Sequence, residues 1–115
     1  DLVRFASSLD DPARCPVLSA ASIKTLFARP PFPGTAKGPV YYACGWQVRQ
    51  LRNGRINTWH TGLLDGTSTL LVRRWDGLCW AVLFDTDTGP DGKRNLTGKI
   101  DPLLHVAADH VTRWP

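Results

Sequence analysis

The chain has 115 residues, 43% hydrophobic and 21% charged, with a formal net charge of +4. That balance fits one modest globular domain spanning residues 1–115. No apolar run reaches the roughly 20 residues of a membrane helix, and no basic stretch leading into an apolar one marks a signal peptide.

Residues 1–9 place Leu2, Phe5, Ala6 and Leu9 on one helical face, with Asp1 suited to the helix start and Asp10-Asp11-Pro12 ending it. Ser19 is a fitting N-cap for a second short helix over 20–28, with Ile23, Leu26 and Phe27 inward and Arg29-Pro30-Pro31 as its stop. Residues 30–39 hold four prolines and two glycines and read as irregular. Val40 to Leu51 is aromatic and β-branched, a strand pattern. Asn53-Gly54 then signals a type I′ hairpin, with 55–61 as the return strand and Leu63 to Gly66 as a connection. Residues 67–74 and 78–85 are two further strands, joined at Asp76-Gly77, a second type I′ signal. The last of these is apolar on both faces, the mark of a central strand covered on both sides. Residues 86–100 read as a loop, and Asp101-Pro102 as the start of a helix over 102–112 that buries Leu103, Leu104, Ala107, Ala108 and Val111. The fold class is therefore α+β: N-terminal helices, an antiparallel four-stranded sheet of two hairpins, and a C-terminal helix.

Arginines outnumber lysines ten to four, and every acid is Asp. The basic residues are scattered, with short clusters only at Arg49/Arg52/Arg55 and Arg73/Arg74. With no aromatic-interleaved basic motif, they read as solvated strand faces and turns rather than a nucleic-acid footprint. Cys15, Cys44 and Cys79 show no C-x-x-C spacing, so no metal is expected, and Cys44 and Cys79 read as buried thiols in strands. Trp46, Trp59, Trp75 and Trp80 suit packing, with a ligand groove as the alternative. His105 and His110 are five apart, not at the i, i+4 spacing of a zinc helix, and read as surface residues; Asp85 and Asp87 read as solvated loop charges. Asn95-Leu96-Thr97 matches the short glycosylation sequon.

The triplet His60-Thr61-Gly62 carries most information. It ends an apolar segment and leads into the hairpin beginning at Gly66. This arrangement resembles the third active-site box, usually Lys-Thr-Gly and sometimes His-Thr-Gly, of the serine β-lactamase and penicillin-binding-protein superfamily, whose esterase and D-aminopeptidase-like branches carry the His form. Five further stretches fall in the family's order: Asp1–Phe5, Leu18-Ser19, Tyr42-Ala43-Cys44-Gly45-Trp46, Gly66–Arg73 and Ile100–Pro115. The resemblance covers nearly the whole chain and implies the C-terminal part of a β-lactamase/transpeptidase-like fold. The family's Ser-x-x-Lys nucleophile box and its second box precede the corresponding region, and neither spacing occurs here. With no Met in the sequence, the chain reads as a piece of a longer or processed protein, inactive alone.

The resemblance also implies roles. Acyl transfer needs a nucleophile, a base and donors aimed at the developing oxyanion. His60 would enter the cleft where the family has Lys, Thr61 would hydrogen-bond substrate, Gly62 would permit close approach, and the Leu63 N–H would be an oxyanion donor. Without the permanent charge of Lys, esters or amides are favoured over classical penicillins. No cofactor is implied. The partners implied are the missing N-terminal part of the parent chain and, through an uncovered edge at 78–85, a second copy of the chain. The resemblance suggests a bacterial periplasmic or secreted protein, with the cytoplasm left open. The alternative from a different class is a non-catalytic binding or oligomerisation module built on the same fold piece.

Overall fold

The computed structural model describes residues 1–32 and 38–113. The irregular segment expected over 30–39 therefore lies largely outside the described residues. The element order is α1 (Leu2–Ser7), α2 (Ala20–Leu26), β1 (Val40–Tyr42), β2 (Gln47–Gln50), β3 (Ile56–Leu64), β4 (Thr67–Arg73), β5 (Cys79–Phe84) and α3 (Leu96–His110). The fold is α+β, with an antiparallel sheet in the order β1-β2-β3-β4-β5 and helices at both ends. Five strands form where four are expected. Val40 to Leu51 splits because Gly45 adopts a left-handed φ of +78°, which reverses the chain between Tyr42 and Gln47. The Ala43 N–H closes that turn on the Trp46 carbonyl at 2.7 Å.

The hairpin chemistry also differs from expectation. No non-glycine residue has positive φ among the described residues, whereas a type I′ turn at Asn-Gly or Asp-Gly needs positive φ at both of its central residues. At Gly54 (φ +77°) and Gly77 (φ +84°) the glycine alone is left-handed. Leu51 bonds to Arg55 and Arg74 to Leu78, so both loops are three residues long with glycine last. Asp65-Gly66 is a further turn of the same composition, with Gly66 at φ +76°. It lets β3 continue to Leu64, through residues expected to be a connection.

The chain packs as two units, Asp1–His60 with Leu71–Ala81, and Thr61–Leu70 with Val82–Pro115. In the first unit the core gathers Ala6 and Leu9 at the end of α1, Ile23 and Phe27 of α2, and Tyr41, Ala43, Trp46 and Val48 of the first hairpin. The α1 helix is shorter than its apolar pattern. Ser8 turns its hydroxyl onto the Phe5 carbonyl at 2.7 Å, competing with further helical bonds, and Leu2 and Phe5 stay exposed. The Ser19 hydroxyl caps α2 by accepting from the Ser22 N–H at 3.1 Å. Tyr41 donates to the Phe27 carbonyl at 2.8 Å, and Trp46 meets the Phe27 ring edge-on at 6.0 Å. Trp46 is thus a core residue.

Arg73 of β4 completes this core. Its Nε lies 2.5 Å from Asp10 Oδ1, and its guanidinium carbon stands 5.3 Å over the Phe27 ring. Arg74 grips Asp76 through two nitrogens, at 3.2 and 2.7 Å. Neither arginine is the solvated charge expected: their side chains are 13% and 10% exposed.

In the second unit, Thr67 and Ser68 of β4 donate their hydroxyls to the Phe84 and Thr86 carbonyls, each at 2.9 Å. The third helix begins at Leu96, well before the expected Asp101-Pro102 start, and carries Pro102 inside it. Proline keeps a helical φ and costs the helix one N–H donor, which this helix forgoes. No residue of α3 is buried; Leu103, Ala107 and Val111 of the expected inner face are exposed, and Leu104 and Ala108 are half-buried. β5 ends the sheet order, with Leu83 66% exposed. No described helix is long and apolar enough to cross a membrane.

Asp10→Ala should lower stability by about 2–3 kcal/mol, because it strands a largely buried guanidinium. The double change Asp10→Ala with Arg73→Met should recover most of that loss. Urea denaturation of the two variants measures both; equal destabilisation would show that the pair does not act through charge.

Candidate functional site

β3 presents the third-box residues in mid-strand, not at the strand end expected from sequence. His60, Thr61 and Leu63 are exposed and Gly62 is half-buried. β4 is the neighbour of β3, and β2 pairs with β3 only from Ile56 to Trp59. Beyond Trp59, β3 has no described pairing on its β2 side. β3 runs into β4 through Asp65-Gly66, and Gly62 meets Thr69 across the two strands.

Gly62 has a separate steric reason to be glycine. A Cβ built there would lie 2.5 Å from Thr69 Oγ1. The glycine accommodates a cross-strand hydroxyl whether or not a substrate approaches.

His60 is not free-standing. Its Nε2 lies 3.0 Å from the Tyr42 hydroxyl, and the two rings are 6.1 Å apart at 57°. Tyr42 closes β1, immediately before the Gly45 turn. Its partnership with His60 was missed from sequence, because the Tyr42–Trp46 stretch reads there as one strand. The signal lay in the glycine that returns the chain.

The remaining candidates separate. Arg49 stacks over Trp59 at 5.3 Å and Arg55 over Trp75 at 4.1 Å, so these rings carry guanidinium groups. His110 is exposed, while half-buried His105 stands 3.6 Å from Asp101. Asp85 is exposed. Asp87 is no simple solvated charge: the Thr88 hydroxyl, with Arg94 at 2.8 Å, holds its carboxyl below the usual range. Asn95 of the sequon is exposed at the start of α3. Among the described residues no three His, Cys or Asp side chains converge as a metal set.

The cysteines part from expectation. Cys44 is exposed in the β1–β2 turn, while Cys15 and Cys79 are half-buried. Burial, helped by the Asp10 charge, pushes the Cys79 thiol up to about 11. The N–H groups of Val17 and Leu18 hold Cys15 below its usual range.

Comparison with models of protein families and with curated proteins finds no match for this chain.

Gly62→Ala should cost about 1 kcal/mol, the price of turning the Thr69 hydroxyl off its rotamer. Thr69→Ala in the same chain should relieve it, as read by thermal denaturation; an unrelieved loss would place the strain elsewhere. Iodoacetamide at pH 8 should modify Cys79 at least tenfold more slowly than Cys44, because only the thiolate reacts. Mass spectrometry over a time course gives the two rates, and equal rates would show that Cys79 is not shielded.

Proposed function

We propose that this chain is the C-terminal portion of a β-lactamase-like serine hydrolase that transfers an acyl group from an ester, amide or β-lactam to a serine. In this reading His60, Thr61 and Gly62 form one wall of the substrate cleft, and the Leu63 N–H supplies one of two oxyanion donors. The nucleophile belongs to a Ser-x-x-Lys outside these 115 residues, whose sequence contains no such spacing. The observation that carries the proposal is the open side of β3. Past Trp59 this strand is unpaired there among the described residues, and the polar triplet and Leu63 fall on that segment. A backbone donor held in a strand costs no reorganisation when charge develops, which is what oxyanion stabilisation requires.

A second reading rests on Tyr42. Its hydroxyl already engages His60 Nε2, as suits a non-catalytic binding module in which the histidine is structural. In the hydrolase reading the same hydroxyl instead orients the imidazole toward substrate, the way a third group orients a base.

The isolated chain should turn over neither nitrocefin, a p-nitrophenyl ester nor a D-alanyl amide. A fluorophosphonate probe should label a serine in the product of the complete open reading frame and none in this chain. In that product, Leu63→Pro, which removes the backbone donor, should lower kcat by ~10²–10³. Acyl-serine formation on the 115 residues alone, or no labelled serine in the complete product, would overturn the proposal; full activity of the Leu63→Pro product would remove the oxyanion role.

A further inference from the structure

A cavity of about 330 Å³ opens in the first unit, away from the His60 segment. Its walls come from the end of α1 and the following loop, from α2, and from β3 and β4. Leu9, Ile23 and Phe27 are buried core side chains and Ile56 is half-buried, so the interior is hydrocarbon. Three charged residues also line it: Asp10, Lys24 and Arg73.

Those charges do not cancel. Arg73 and Asp10 form an ion pair, and Arg73 spends a further N–H on the Leu9 carbonyl at 3.4 Å. Lys24 lies on the exposed side of α2 and makes no ion pair or hydrogen bond among the described residues. The cavity thus joins an apolar interior to one unneutralised cation at its mouth. Its volume is at the small end for ligand pockets.

We propose that this cavity binds a small amphipathic carboxylate, with a hydrocarbon body against Ile23, Phe27 and Ile56 and its carboxylate on the Lys24 ammonium. A single negative charge is the matched one. A dianion such as a phosphate monoester would meet one free cation and be repelled by the Asp10 carboxylate. A cationic amphiphile would be repelled by Lys24, and a neutral alcohol would forgo the charge pair. The site shares no residue with the His60–Leu63 segment, so its failure leaves the hydrolase reading untouched.

Octanoate is the probe, with octanol and octylammonium as its neutral and cationic counterparts. Titration into the isotope-labelled chain should move the Ile23 and Ile56 methyl resonances saturably with octanoate, less tightly with octanol, and not at all with octylammonium. Lys24→Glu changes an exposed side chain and spares the core. It should weaken octanoate on the order of fivefold, the scale of an exposed charge pair, and leave octanol unchanged. Lys99→Glu, a charge reversal outside the cavity, should leave octanoate binding as it is. The proposal is overturned if octanol binds as tightly as octanoate, if Lys24→Glu binds octanoate like the parent chain, or if the shifts fall away from Ile23 and Ile56.

Discussion

The guanidinium of Arg73 reaches from a central strand to a carboxylate near the start of the sequence. Asp10, Leu9 and Phe27 all touch it. A charge so enclosed loses hydration, and an ion pair alone seldom recovers that cost. Here the carboxylate supplies the opposite charge, the Leu9 carbonyl a hydrogen bond and the Phe27 face a cation–π contact, while Arg73 Nε and Asp10 Oδ1 meet as an ion pair without hydrogen-bond geometry. The geometry they impose is specific. The turn after α1, the last turn of α2 and the end of β4 can satisfy the cation only in one mutual arrangement. Apolar contacts among Ala6, Leu9, Ile23 and Val48 supply area without direction; Arg73 supplies the direction. The burial of Cys79 and its raised pKa belong to the same neighbourhood, since Asp10 adds to the effect of desolvation on that thiol.

Much of this fold was legible in the sequence, and the gaps have physical causes. Glycine in a polar context marked the turns after β2 and β4, and the structure puts left-handed glycines there. The turn type was misread because Asn-Gly and Asp-Gly suit both a two-residue turn with two left-handed residues and a three-residue turn with one. The number of loop residues separates the two, and composition does not set that number. At Gly45 the reverse error occurred: an isolated glycine among strand formers reads as a tolerated defect, yet it reverses the chain. At Asp65-Gly66 the same dipeptide falls inside a stretch that reads as a connection, whereas β3 runs on to Leu64 and turns there. The third helix failed differently. Its apolar residues at 103, 107 and 111 have helical spacing, but spacing reports only a face; whether anything covers it is a tertiary fact, and these residues are exposed.

The candidate site was legible as a position and not as an arrangement. Sequence gave the polar triplet on a strand beside a hairpin, and β3 carries it so. It could not give the Tyr42 contact, which depends on the turn at Gly45. Nor could it give the steric reason for Gly62, which depends on Thr69 lying opposite. These two contacts divide the argument for function. His60 and Gly62 each have a local structural reason to be what they are, so their identity alone speaks weakly for catalysis. Thr61 and the Leu63 N–H have no such local reason. Both residues are exposed on the part of β3 that β2 does not pair, and the case for a ligand-facing role rests more firmly on them than on the histidine that first draws notice.

The basic balance of the chain is also explained residue by residue. Arg29, Arg49 and Arg55 lie over Tyr41, Trp59 and Trp75. Arg14, Arg73, Arg74 and Arg94 each meet an aspartate. A flat, delocalised cation can stack on a ring and still donate in its own plane, which an ammonium cannot, and this accounts for the preference for arginine over lysine. It also changes what the net charge means. A surplus of +4 would suggest a surface for polyanions if those groups were free. Seven of the arginines lie over rings or against carboxylates among the described residues, Arg73 and Arg74 with little exposure. The cations left to meet a ligand are few and separate, which favours recognition of one charge at a time over the continuous basic stripe that a nucleic acid requires.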